Sequence, residues 1–238
     1  MDKEAKLSAV RAKLAAVLDP ELDESLTELG FIESLDVDAD DRVHVRVRLP
    51  TYWCAANFAF MMASDARERI AELPWVNGVT IDLAEHFYSE RINQGVQQGS
   101  SFVAAFADEA SAELDELRAI FRAKAFERRQ HEMMRYLMTR TYSPEALAKM
   151  TVEELSAIAF DDAEGDRLRR RYLEARAERR DGASSKTKAF VQLDGSPLPL
   201  DKFPDYLARV RRSWLATQVN GAMCRSLLEA RYGGAKGP

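Results

Sequence analysis

The sequence predicts an α+β protein: a small N-terminal α-β-β-α-β domain with a three-stranded sheet, followed by a mainly α-helical bundle domain. Apolar and polar residues alternate over 43–49 and again over 79–83, the pattern of half-buried strands. From about residue 100 onwards, long stretches instead carry apolar residues three and four positions apart, as helices do. We therefore expect one domain over residues 1–88 and a second over 89–238.

Each element of the first domain has a local signal. Leu7, Val10 and Leu14 recur at helical spacing, and the proline in Asp19-Pro20-Glu21 ends that pattern because it disfavours a helical residue before it. Leu29-Gly30-Phe31 turns the chain into the next element. The predicted elements are a helix over 3–18, a strand over 31–38, a strand over 42–49, a helix over 55–73 and a strand over 79–83.

The second domain reads as helices joined by short loops. Gly95 and Gly99 are expected to loosen the connection to it, and a single helix is expected over 101–140. Thr151, with Glu154 three residues later, forms a capping-box signature. The apolar stripes over 102–121 and over 207–228, in the last helix, are expected to pack together, because neither can stay exposed.

Composition narrows the functional classes. With 46% hydrophobic residues the chain can build a core, yet no apolar run approaches the ~20 residues that span a bilayer. Residues 1–90 carry 9 basic and 18 acidic residues, against 25 and 21 in the remainder, so the first part does not suit nucleic acid. The charged N-terminus lacks a signal-peptide core, so we expect a cytoplasmic protein without a membrane role. Two cysteines imply no disulfide framework.

Cys54 is the main candidate for chemistry, because it lies where a strand ends and a helix begins. The first amides of a helix lack internal partners and favour negative charge, so a thiol there ionises more readily. Thr51 is placed to cap the helix start, and Asp19 offers a carboxylate from a second loop. The alternative is that Cys54 is simply a small buried side chain.

The order of these motifs resembles the PaaD/SufT-type iron–sulfur cluster assembly domain, over about residues 5–85. The resemblance lies in Asp19-Pro20-Glu21, Leu29-Gly30-Phe31, Pro50-Thr51-Tyr52-Trp53-Cys54 and Val76-Asn77-Gly78-Val79. It implies a compact α+β fold, a role in maturing iron–sulfur proteins or other metalloenzymes, and a reactive cysteine. On this match Cys54 is the metal or cluster ligand, supported by Asp19, Glu21 and Thr51. Trp53 and Ala55 depart from the family, which usually has Gly and Pro there.

The number of ligands limits what one subunit can hold. Simple iron–sulfur clusters are typically held by four thiolates, so a cluster here is transient, shared across a homodimer or with a client, or completed by carboxylates or histidine. His44 and His86 are nearby candidates, with surface or edge positions as the alternative. Glu127 and His131, four residues apart, form a further candidate metal pair, although no second such set accompanies them. Cys224 is expected to pack in the core of the helical part.

The sequence thus predicts a non-enzymatic accessory factor that assembles an iron–sulfur cluster or iron centre in a client metalloenzyme. Cys54 handles iron or the cluster, and the helical domain recognises the client or an iron–sulfur carrier protein. The alternative is a metal-free chaperone or adaptor that assists folding or assembly of a metalloenzyme such as a multicomponent monooxygenase.

Overall fold

The computed structural model describes residues 1–110, 113–179 and 184–233. The chain divides into two compact units, Met1–Arg118 with Thr217–Pro238, and Ala119–Ala216. The elements in chain order are α1 (Lys3–Leu14), β1 (Ile32–Val37), β2 (Arg42–Arg48), α2 (Ala56–Ala71), β3 (Gly78–Ala84), α3 (Ser89–Gln98), α4 (Phe102–Ala105), α5 (Asp115–Thr139), α6 (Pro144–Lys149), α7 (Val152–Ala157), α8 (Ala163–Ala177), a 3-10 turn (Leu200–Lys202) and α9 (Phe203–Tyr232). The predicted α+β class, with its three-stranded sheet near the N-terminus and a mostly helical remainder, is confirmed.

The sheet of the first unit has the order β1-β2-β3. β1 and β2 form an antiparallel hairpin, and β3 pairs parallel to β2 after the chain has crossed over through α2. The parallel register places buried apolar residues opposite one another, in the pairs Val43–Val79, Val45–Ile81 and Val47–Leu83. The alternation in the sequence therefore marks the face of the sheet that enters the core.

Two helices bury their apolar faces in the same core as the sheet. Val10 and Leu14 of α1 and Met61 and Ile70 of α2 are fully buried. Asp2 caps α1 by accepting a hydrogen bond from the amide of Ala5 at 2.7 Å. α1 ends at Leu14, four residues before the predicted end, because the backbone turns there and then forms the loop that contains Asp19.

The segment after β3 belongs to the first unit. Gly95 lies inside α3, where a Cβ would meet the Cβ of Ala105 at 2.9 Å and the ring of Phe60 at 3.1 Å, so it permits close packing rather than flexibility. Gly99 ends α3 in the left-handed conformation, with a φ of 66°. The continuous helix predicted over 101–140 is wrong: α4 is a single short helix, and α5 begins only at Asp115.

The second unit has its own apolar core. Its members come from the later part of α5, from α6 to α8, from residues 189–198 and from the start of α9. The buried Gln130 joins these elements: its side chain accepts hydrogen bonds from the Tyr172 hydroxyl (2.7 Å) and the Val191 amide (3.0 Å), and donates to the Val191 carbonyl (2.8 Å). The capping box predicted at Thr151 and Glu154 is confirmed at the start of α7.

The residues of the two apolar stripes are divided between the two cores, whereas we predicted that one stripe packs against the other. Phe106 and Leu114 enter the core of the first unit, as does Leu228 near the end of α9, whereas Val210 of α9 belongs to the core of the second unit. The boundaries between units fall inside α5 and α9. Whether residues 1–88 and 89–238 fold independently stays a prediction. Among the described residues, no helix combines the length and apolar character that a membrane crossing requires.

Candidate functional site

Cys54 lies in the short loop that connects β2 to α2. Leu49 and Pro50 are buried and anchor the start of this loop, whereas the Cys54 side chain is only partly buried. The Thr51 hydroxyl and the Cys54 sulfur are 3.2 Å apart, within hydrogen-bonding distance for sulfur. Thr51 therefore contacts the thiol directly. The predicted role of Thr51 as the helix cap is wrong, because the N-cap of α2 is Ala55.

The N-cap residue of α2 supplies no side-chain acceptor, and one early amide of the helix, that of Phe58, donates instead to the Asn57 side chain at 2.8 Å. Ala55 provides no capping hydrogen bond, and the first turn contains no acidic residue. A helix end of this kind favours a nearby negative charge, by roughly 0.3–1 kcal/mol at an exposed position. Cys54 directly precedes this cap, so its side chain is close to the amino-terminal end of the helix.

His86 holds the Cys54 loop against the segment that follows β3. One ring nitrogen, Nε2, lies 2.8 Å from the Cys54 carbonyl oxygen, and the other, Nδ1, accepts a hydrogen bond from the Tyr88 amide at 3.1 Å. Because a carbonyl can only accept, Nε2 carries the proton and the ring is neutral. Burial, reinforced by the charge of Arg231, lowers the pKa of His86, although the bond to Cys54 opposes the shift. Both nitrogens are used within the fold, so a metal ion would have to displace one of these bonds.

A second backbone bond joins the same two segments. The Phe87 amide donates to the Tyr52 carbonyl oxygen at 2.7 Å. Together with the His86 bond, this fixes both sides of Trp53 and leaves the side chains of the loop facing outward. No local sequence pattern indicates this role of His86, although its place immediately after a strand could have suggested it.

Asp19 and Glu21 lie in the loop after α1. One Asp19 carboxylate oxygen accepts hydrogen bonds from the amides of Glu21 (2.9 Å) and Leu22 (2.8 Å), so its first role is to hold the turn. Burial raises the pKa of Asp19 to about 6, although those two amides favour the charged form. Glu21 instead accepts a hydrogen bond from the Asn220 side chain of α9 at 3.1 Å.

The last turns of α9 pack beside this site within the first unit. Arg225 pairs with Glu24 at 2.7 Å, and Arg231 donates to the backbone oxygens of Leu49 (3.3 Å) and Glu85 (3.0 Å). The end of α9 thus contacts the loop after α1 and both segments that flank Cys54. The sequence did not predict these contacts, because nothing local pairs residues that are 146 to 201 positions apart.

Cys224 lies in this part of α9, in the same unit as Cys54, and not in a separate domain as expected. It packs, partly buried, against the apolar core of the first unit. Burial raises the pKa of Cys224 to about 11, and the charges of Asp19, Cys54 and Glu21 act in the same direction. Cys224 is therefore a protonated thiol at neutral pH.

The other candidate ligands lie elsewhere. His44 is near the start of β2, exposed, with Nε2 3.5 Å from Asp38, whereas Cys54 follows the end of that strand. In the second unit, Glu127 forms a two-pronged ion pair with Arg209, at 3.0 and 2.6 Å. His131 is buried, and neither of its ring nitrogens has a hydrogen-bond partner among the residues that the structure describes. Within 1–110, 113–179 and 184–233, no three or more His, Cys, Asp or Glu side chains are grouped so that they could hold a metal ion.

Comparison with known proteins agrees with the motif order in the first unit. Residues 7–83 match the family described as iron–sulfur cluster assembly protein. Over 80 residues the chain is 34% identical to proteins named iron–sulfur cluster carrier protein from Mycobacterium bovis and Mycobacterium tuberculosis. The match covers 32% of this chain and 19% of those relatives, so the chain corresponds to about a fifth of their length.

One solved structure, a domain of unknown function (DUF59) from Bacillus anthracis, is 22% identical and covers 41% of this chain and 92% of that one, with a TM-score of 0.33. The family match lies within the first unit, contains β1, β2, α2, the Cys54 loop and almost all of β3, and ends before α3. The first part of this chain, residues 7–83, is therefore a domain of the iron–sulfur cluster assembly protein family.

Proposed function

We propose that this protein is an accessory factor that handles iron or an iron–sulfur cluster through Cys54 while a client metalloenzyme is assembled. One observation supports this most strongly: within the family domain, the Cys54 thiol contacts Thr51 and immediately precedes the start of α2, whose N-cap residue Ala55 provides no side-chain cap. The thiolate is the form of cysteine that binds metal, and the amino-terminal end of a helix is the end near which a negative charge is stabilised. His86 fixes the segment beside the loop, so it positions the thiol rather than binds the metal, and Asp19 holds the turn after α1.

A single accessible thiolate makes the iron or cluster a cargo rather than a permanent cofactor. An all-cysteine cluster needs about four thiolates, and Cys224, with its pKa of about 11, is a poor ligand at neutral pH. The missing ligands then come from a second subunit or from the client. Light scattering distinguishes these sources, because a chain of 26.9 kDa that doubles its mass on loading shares the cargo between two copies.

We assign recognition of the client to the helical part, because this part has a separate core and lies outside the family match. The function requires no catalytic turnover by this chain, and we expect it in the cytoplasm. Deleting the helical part is expected to reduce client binding.

The test is anaerobic reconstitution with ferrous iron and sulfide, followed by measurement of bound iron and acid-labile sulfide. We expect Cys54→Ala to lose the bound iron and sulfide, and the matched variant Cys224→Ala to retain them. Equal retention by both variants would contradict the role of Cys54. If the wild-type protein binds neither iron nor sulfide, the metal-free adaptor becomes the better interpretation.

A further inference from the structure

We propose that the aromatic side chains around Cys54 form a docking surface for an apoprotein that presents cysteine thiolates to the same cargo. We call this surface the aromatic patch; it consists of Tyr52, Trp53 and Phe87. The inference rests on the proposed function of Cys54, and it identifies the partner of that site by its chemistry.

The three rings are unusually exposed for such large side chains. The exposed fraction is 52% for Tyr52, 65% for Trp53 and 72% for Phe87. Tyr52 and Trp53 contact each other edge to face, with ring centroids 4.4 Å apart. Exposed apolar surface of this kind marks interaction sites, and tryptophan and tyrosine are enriched among the residues that dominate binding energy.

The backbone that carries the patch is fixed in advance. The Phe87 amide is bonded to the Tyr52 carbonyl, and His86 is bonded to the Cys54 carbonyl, so both segments are joined on either side of Trp53. A patch that is already ordered loses little conformational entropy when a partner binds. The bonds therefore hold the backbone from which the rings project beside the Cys54 loop.

The segment that carries Tyr52 and Trp53 is also free of charge. Residues 49–64 contain no Lys, Arg, His, Asp or Glu, although charged residues make up 31% of the chain. Depletion of charged residues together with enrichment of aromatic ones is the composition of an interface centre. The charges nearby are at the edge, where Glu85 and Arg231 pair with each other at 3.0 Å.

The site itself indicates what occupies the patch. Cys54 supplies one ligand, and no described group of three or more ligands completes a metal site. The missing thiolates must therefore approach Cys54 from outside, across the exposed side of its loop, and that side carries the aromatic patch. A partner with cysteines set in an uncharged, apolar surface satisfies both requirements.

The experiment uses the full chain and, as the probe, an apo-ferredoxin with four free cysteines. Two measurements are made: binding of the metal-free chain to the apo-ferredoxin, and transfer from the reconstituted chain, followed by the absorption of the acceptor. We expect Trp53→Ser and Phe87→Ser each to raise the half-saturating acceptor concentration about tenfold, with unchanged iron content. The matched control is Val219→Ser, since Val219 is 60% exposed on α9 and lies outside the patch.

The two measurements separate the two proposals. Unchanged half-saturation in both patch variants, with normal loading and transfer, overturns the patch and leaves the function of Cys54 intact. If the patch variants weaken binding to the apo-ferredoxin although the wild-type chain never loads iron, the docking surface is supported and the proposed handling of iron by Cys54 is overturned. If the wild-type chain neither binds nor transfers to the four-cysteine acceptor, the docking proposal is wrong.

Discussion

Two buried histidines, one in each unit, show how differently the fold uses the same side chain. His86 is 6% exposed and His131 is 4% exposed. Both ring nitrogens of His86 are hydrogen-bonded and hold the Cys54 loop, whereas neither nitrogen of His131 has a partner among the described residues. Burial alone therefore does not distinguish a residue that organises a site from one that does not.

The surroundings of the two histidines explain the contrast. Burial lowers the pKa of His131 to about 4, and the positive charges of Arg135 and Arg211 nearby act in the same direction. The carboxylates that its spacing offers are engaged elsewhere, since Glu127 pairs with Arg209 and Glu132 accepts from the Trp214 indole at 2.9 Å. A Glu/His pair at helical spacing thus provides no metal site unless its carboxylates remain available.

Removing His86 is expected to have the largest effect on stability. His86→Ala leaves the Cys54 carbonyl and the Tyr88 amide without their partners and creates a cavity, which we expect to cost about 2–4 kcal/mol. Chemical denaturation measures this cost. The control is His44→Ala, whose exposed ring should contribute within about 0.5 kcal/mol; equal effects of both variants would show that His86 does not hold the loop.

His131 should make the second unit sensitive to acid. Its folded pKa of about 4 is below the ordinary value of 6.5, so the unfolded chain takes up a proton that the folded one resists. Stability is therefore lost as the pH falls from 6.5 towards 4, by about 1–3 kcal/mol. His131→Phe should remove that loss, as followed by denaturation at several pH values. An unchanged pH slope in this variant would assign the acid sensitivity to another group.

The ionisation of Asp19 should change stability with pH in the opposite sense to that of His131, and by a smaller amount. Its folded pKa of about 6 is above the ordinary value of 3.8, so its contribution to stability is present at low pH and is lost as the pH rises from 3.8 to 6. At pH 7, Asp19→Ala should cost about 1–2 kcal/mol because two amides lose their acceptor. Asp19→Asn keeps an acceptor and should change stability by less than this; equal losses in both variants would contradict the turn-holding role.

The sheet and the position of Cys54 could be predicted from the sequence because their signals are local. Alternation in β2 and β3 determines which side chains face the core, and Pro50 with the following helical pattern places Cys54 at the junction. The rest depends on tertiary contacts. The bond between Glu21 and Asn220 joins residues 199 positions apart, and the apolar spacing of α9 does not reveal that its two ends serve different cores.

The claim that Cys54 is the ligand is tested most directly by differential alkylation. The full chain is labelled with iodoacetamide under anaerobic conditions, before and after loading with iron and sulfide, and each cysteine is quantified by peptide mass. We predict that Cys54 reacts faster than Cys224 in the metal-free folded protein and becomes protected on loading, while Cys224 reacts slowly in both states. Equal labelling of Cys54 in the loaded and unloaded protein would contradict the account.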